Sequence, residues 1–158
     1  MSEWVVLFHV AVAFWFVGGL IGRNVTLAKA RASTEIVVVG ELTELAGRFE
    51  RFMVIPGSAA VLVAGLLAVW VEDRPLAGPG NGWLLLSLVL YLTLIPLVPL
   101  VFLPRGRVFE RALAEATERG EVTPELGVAF RDPAVAAARI YEVIVVALII
   151  LLMVVKPF

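Results

Sequence analysis

The sequence predicts an all-α membrane protein that crosses the bilayer four times, as a single four-span domain over residues 1–158. Three observations lead there: an excess of apolar residues, four long stretches with almost no charge, and bases gathered into alternate loops. Of 158 residues, 61% are hydrophobic and 17% charged, against roughly 45–50% and 25% in a soluble domain. A chain so poor in polar residues cannot cover a water-soluble globule. Net charge is −1, which gives no basis for nucleic-acid binding. Cysteine is absent, which excludes disulfides, thiolate metal sites and cysteine nucleophiles.

A hydrocarbon core of about 30 Å needs about 20 helical residues to cross it. Residues 4–22, 52–71, 82–103 and 134–155 meet that need. The fourth helix is expected to begin at Pro133, because Asp132-Pro133 is an N-cap followed by proline at the first helical position. The first stretch differs from a signal peptide, which carries its positive charge before the apolar core. Here Met-Ser-Glu-Trp leads, and Arg23, Lys29 and Arg31 follow. It is therefore expected to stay in the membrane.

Loop charges orient the chain. Loop 23–51 holds Arg23, Lys29, Arg31, Arg48 and Arg51, and loop 104–140 holds Arg105, Arg107, Arg111, Arg119, Arg131 and Arg139, whereas loop 72–81 holds only Arg74. The first and third loops are expected in the cytoplasm, with both termini outside. Trp4, Trp70 and Trp83 then fall at outer span ends, the level tryptophan prefers.

Both charged loops carry helical patterns. Val38, Leu42, Leu45, Phe49 and Phe52 form a stripe at helical spacing, opposite Glu41, Glu44, Arg48 and Arg51. They predict an amphipathic helix running into the second span, which lies on the inner leaflet or extends the bundle. Residues 105–119 repeat the pattern, with Gly120 as a stop and Thr123-Pro124 as a restart. Acids and bases alternate within each loop, which argues against a polybasic lipid patch. The expected architecture is a four-transmembrane-helix bundle with amphipathic cytoplasmic helical extensions.

The residue in the spans with most chemical potential is His9, the single histidine. An ionisable side chain at membrane depth points to function, and a neutral imidazole can ligate haem iron or relay protons. The competing reading is an interhelical hydrogen bond. A closed zinc site, which needs four ligands, is excluded by the isolation of His9. Arg23 lies about 21 Å along the helix from His9, and its expected role is topological, snorkelling to the headgroups, with pairing to a carboxylate as the lesser alternative. Gly18, Gly19 and Gly22 form a small-residue face that admits a second helix or a flat cofactor. Gly57 and Gly65 of the second span, beside Ala59, Ala60 and Ala64, read the same way. Pro56, Pro96 and Pro99 are expected to kink their spans. Mid-membrane polar groups are limited to Ser58, Ser87, Tyr91 and Thr93, too few for ion transport. Glu142 is expected to pair with Arg139 on its own helix. The Gly78-Pro-Gly-Asn-Gly82 run is a short turn and lacks the preceding strand of a phosphate loop.

Leu7-Phe-His9, Trp15, Gly18-Gly19 and Gly22-Arg23 together resemble the first helix of the small bacterial membrane proteins grouped as domain-of-unknown-function family 2269. Arg48-Phe-Glu-Arg51, Pro56-Gly57 and Gly65 resemble that family's second helix. The histidine followed by Trp-x-x-Gly-Gly is also similar to the first helix of copper-resistance protein D-type domains and of HemJ-type protoporphyrinogen oxidases. The resemblance implies a multi-pass protein of the bacterial cytoplasmic (inner) membrane, with His9 at a position associated with haem b. The intramembrane lysine of the HemJ-type enzymes has no counterpart, since Lys29 and Lys156 lie outside the spans. The expectations are thus a haem b protein with His9 as axial ligand beside Gly18, Gly19 and Gly22, or a non-catalytic bundle that assembles with itself or with other membrane proteins. A permease of metals or small molecules is a third.

Overall fold

A computed structural model describes residues 2–157 except Ala77 and Pro79, so part of the Gly78–Gly82 turn lies outside the described residues. The described chain is all-helical: α1 (Ser2–Ala32), α2 (Ile36–Phe49), a π-helical segment (Glu50–Val54), α3 (Ile55–Val71), α4 (Gly82–Leu94), a second π-helical segment (Val98–Phe102), α5 (Leu103–Arg119), α6 (Pro124–Phe130) and α7 (Pro133–Val155). Four helical stretches are long and apolar enough to cross a membrane, as the sequence predicts. Two of them exceed that need. Ile36–Val71 has 36 residues and Gly82–Arg119 has 38, about 54 and 57 Å at 1.5 Å per residue. Helices α2 and α5 are therefore continuations of spans. The chain divides into two compact units, Met1–Arg74 with Arg119–Val122, and Pro75–Glu118 with Thr123–Phe158.

The first unit is an antiparallel hairpin of α1 against α2, the π-segment and α3. Its register can be followed from contact to contact. A Cβ placed on Gly65 would lie 3.1 Å from the His9 ring, and one on Gly57 would lie 3.1 Å from Phe16. Further along, a Cβ on Gly19 would sit 2.5 Å from Met53 Cβ, and one on Gly22 would sit 2.7 Å from the Phe49 ring. Each helix thus offers glycine hollows to the other's large side chains, the arrangement that lets two helical backbones approach closely. Gly18 is looser, its nearest contact being the flexible end of Met53 at 3.7 Å. Along α1 the buried positions Val12, Phe16, Leu20, Arg23, Thr26 and Ala30 continue one face.

The buried face of α2 differs from the predicted stripe. Ile36, Val39 and Ala46 are buried, while Leu45 is 42% and Phe52 68% exposed. Close approach selects small side chains where the helices meet, so Ala46 faces inward, Phe49 fits only over Gly22, and Leu45 and Phe52 turn outward. Trp4 and Trp70, at the same end of this hairpin, are exposed as headgroup anchors should be.

In the second unit α4 packs against α7. The Tyr141 hydroxyl donates to Thr93 Oγ1 at 2.7 Å, and Thr93 in turn donates to the Leu90 carbonyl at 2.6 Å. Trp83 lies at the start of α4, the expected end of its span, but is not exposed there as Trp4 and Trp70 are. It is buried, its indole N–H donates to the Gly80 carbonyl at 3.2 Å, and Lys156 Nζ lies 5.4 Å from its ring centroid. The ring closes the α4–α7 contact under a cation, which consumes the exposure an anchor would need.

Beyond the spans, α5 ends at Gly120 with φ +71°, a conformation that glycine adopts without strain. Thr123 caps α6 by accepting from the Leu126 N–H, and Asp132 caps α7 by accepting from Ala134 and Val135. Arg105 pairs with Asp132 at 2.6 Å and Phe109 meets Phe130 edge-on at 4.8 Å, tying α5 to the segment before α7.

Both π-segments have the same cause. Ile55 donates its N–H to the Glu50 carbonyl and Leu103 donates to Val98, each five residues back. Each donor immediately precedes a proline, Pro56 or Pro104. Proline has no N–H and its ring crowds the carbonyl four residues earlier, so the turn before it widens by one residue. Of the prolines expected to kink their spans, Pro56 follows the first widened turn and Pro99 lies within the second. The Ile95-Pro96 turn lies just above the second π-segment, but the widened turn itself answers to Pro104.

The glycine contacts predict a graded response. Gly19→Ala should destabilise by roughly 1–3 kcal/mol, as overpacking does, with Gly65→Ala milder because the His9 ring can yield. Gly18→Ala should be nearly neutral, and Gly40→Ala, with open space around it, neutral or stabilising. Thermal unfolding in detergent measures the series. A second expectation concerns pH. Partial burial opposes ionisation of Asp132, but the N–H of Val135, the Arg105 guanidinium and the N–H of Ala134 outweigh it and hold the carboxyl below its ordinary value. A depressed carboxyl stabilises the fold above its unfolded pKa of about 3.9, and that contribution fades as pH falls through the folded value. Melting temperature should therefore drop below about pH 4, and Asp132→Asn should be less stable at neutral pH and show a smaller acid drop.

Candidate functional site

His9 in the first span and Arg23 at its end both sit on the inner face of the hairpin. His9 is held by two features of α3. Its imidazole lies beside the Val61 backbone, and the edge of the ring carrying Cε1 and Nδ1 lies over Gly65, at 3.1 and 3.4 Å from where a Cβ would be. Val61 and Gly65 are one helical turn apart, so the ring spans a single turn of the α3 backbone. Nδ1 is buried and has no hydrogen-bond partner among the described residues. An iron on His9 must take the lone pair of a ring nitrogen, and the nitrogen-bearing edge faces the α3 backbone across a glycine. The neighbouring face of Gly19 and Gly22 is filled by Met53 and Phe49. As folded, these residues hold a helix against α1 and do not fit a flat macrocycle between them.

Arg23 departs from its expected role. Its side chain is 6% exposed and donates from Nη1 to Glu50 Oε2 at 2.6 Å. It therefore turns inward and pairs with a carboxylate instead of reaching to the headgroups. Two neighbours explain the turn. The contact of Gly22 with Phe49 brings α1 and α2 close at this level, and Glu50 opens the π-segment on the facing helix. Thr26, one turn further along α1, is also buried and donates to the Gly22 carbonyl at 2.6 Å. A pair this buried is costly to break, because the remaining charge keeps its desolvation penalty without its partner. Glu142, expected to meet Arg139, is buried on α7.

Sequence reading missed Glu50, Val61 and Gly65 as partners. The signal was present: if Trp4 and Trp70 mark one level of a hairpin, antiparallel counting puts His9 opposite Gly65 and Arg23 within one residue of Glu50. No group of three or more His, Asp or Glu able to hold a metal ion occurs among the described residues.

The ion pair makes a charge-swap prediction. Arg23→Glu and Glu50→Arg alone should each destabilise, by less than the roughly 3–5 kcal/mol of a fully buried pair, because the Glu50 side chain is 35% exposed and solvent screens it. The double swap should recover most of that loss in thermal unfolding. Additive losses in the double swap would show that the pair contributes no mutual stabilisation.

No curated protein and no solved structure matches the chain significantly. Residues 3–157 match the family described as "Predicted integral membrane protein (DUF2269)". Near-complete coverage, four spanning helices and the hairpin contacts just described agree on one conclusion: the chain is a multi-pass integral membrane protein that belongs to the DUF2269 family.

Proposed function

We propose that this protein is a non-catalytic membrane component that acts by assembling with copies of itself or with other membrane proteins. The observation behind this reading is the use made of His9. A polar group at membrane depth is expected to serve function, yet here the imidazole bridges Val61 and Gly65 and so fastens α1 to α3. Arg23 and the glycine face are likewise engaged in closing the hairpin. The surface left for interaction is the outer faces of the spans and the helices α2 and α5 that continue beyond them. Exposed Val37, Leu45 and Val108 on those helices are the kind of residue a partner helix covers.

The rival reading, a haem b protein with His9 as axial ligand, requires α1 and α3 to part at Gly65. One pair of measurements separates the two. The purified protein, expressed with ample haem, should show no Soret band, and His9→Ala should lower its melting temperature. Native mass spectrometry should show a defined complex larger than one chain. A Soret band that His9→Ala removes would establish the haem reading, and a strictly monomeric, partnerless protein would overturn the assembly reading.

A further inference from the structure

The start of α5 carries a feature that neither the family description nor the assembly reading assigns. We propose that the face running from Leu100 and Leu103 to Arg107 and Arg111 binds an anionic phospholipid, acyl chains on the leucines and headgroup at the arginines. Leu103, Arg107 and Arg111 follow one another at steps of four residues on α5, so they share one face of a helix, and Leu100 lies in the π-segment just before it. Leu100 is 73% and Leu103 55% exposed, as lipid-facing residues are. Arg107 and Arg111 are exposed, and neither has an ion-pair partner among the described residues. Arg107 lies about 6 Å and Arg111 about 12 Å beyond Leu103 along the helix axis. The headgroup region is several ångströms deep on each side of the hydrocarbon, which places Arg107 within it.

Helix direction brings Arg111 to the same level. Side chains on a helix lean toward its N-terminus. Helix α5 runs away from the membrane, so its arginines lean back toward the headgroups. Helix α2 runs toward the membrane, and its arginines lean the other way. The structure shows this: Arg48 reaches back to Glu44 at 2.7 Å, and Arg51 reaches back to the Gly47 carbonyl at 3.4 Å. Bases on the two helices thus have opposite reach, and Arg107 and Arg111 on α5 are on the helix whose side chains lean toward the bilayer.

The surrounding charges favour the same occupant. Arg131 is exposed near Asp132, which the Arg105 pair fixes at the base of α5. Glu110 is the acid within this band. The further acids Glu115 and Glu118 stand about 12 and 17 Å along the axis from Arg107, beyond the Debye length of about 10 Å, whereas Glu115 is about 6 Å from Arg111, so the positive field is strongest at Arg107. With Arg131 beside Asp132 and Arg107 above Leu103, bases outnumber acids at the membrane end of α5.

Native mass spectrometry of the full chain, extracted from vesicles of phosphatidylcholine with phosphatidylglycerol, tests the proposal. The parent should retain phosphatidylglycerol in preference to phosphatidylcholine, and the preference should weaken with salt. Arg107→Gln with Arg111→Gln should reduce it by about fivefold for each arginine lost. Arg107→Lys with Arg111→Lys should keep most of it, and Arg48→Gln with Arg51→Gln should leave it unchanged. Equal retention of the two lipids by the parent overturns the proposal, as does loss with the α2 pair as great as with the α5 pair. Displacement of the lipid by inorganic phosphate would also overturn it, since the site would then recognise a free anion and not a lipid seated on the leucines. Should the glutamine variant fail to fold, the lysine variant and the salt dependence of the parent decide the question.

Discussion

The close approach of α1 to α3 is the constraint on which the first unit depends. Within a bilayer, lipid tails are as apolar as leucine, so burying leucine against leucine gives little reason for two helices to stay together. What remains is van der Waals fit and interhelical hydrogen bonding, and both need short distances. Gly19, Gly22, Gly57 and Gly65 supply those distances, two on each strand of the hairpin. The two polar contacts, His9 with Val61 and Arg23 with Glu50, lie at the two ends of this row. Polar contacts so placed also fix the register, because a slip of one helical turn would leave both a histidine and an arginine without partners.

The π-segments follow from a different constraint, the covalent chemistry of proline, and they occur where spanning helices give way to projecting ones. A long helix that leaves the bilayer must change the face it buries, because lipid surrounds one part and water the other. An inserted residue rotates everything beyond it around the axis. Before Pro56 this rotation sits between the buried face of α2, with Ile36, Val39 and Ala46, and the glycine face of α3. Glu50, the first residue of the widened turn, is thereby offered to Arg23. Sequence supplies the proline and structure supplies its consequence.

How much of this was legible in the sequence depended on how local the cause was. Span number, the starts of α6 and α7 and the stop at Gly120 each follow from a few adjacent residues, and the structure has them as expected. The inward turn of Arg23 and the burial of Trp83 were not legible, since each depends on a partner some tens of residues away: Glu50 in one case, Lys156 in the other. The α2 stripe was misread for a related reason. Hydrophobic periodicity assumes that the bulkiest face is the buried one, an assumption that holds in water and weakens where small residues make the closest contacts. For His9 the sequence could name both roles but could not choose, because the choice rests on which way the ring's nitrogen-bearing edge points.

Direction is the other property that a list of charges conceals. Counting arginines in a loop orients a membrane chain, but the count is blind to whether each side chain leans toward the lipid or away from it. On a helix entering the membrane, the lean toward the N-terminus carries a base outward, where it meets acids of its own helix, as Arg48 meets Glu44. On a helix leaving the membrane, the same lean carries a base down to the headgroups. The two charged loops of this protein hold similar sets of residues, and helix polarity alone makes one set self-satisfied and the other lipid-directed. An integral protein whose intramembrane polar groups are engaged in its own packing can therefore still present chemically distinct surfaces, because the backbone decides which charges remain for others to meet.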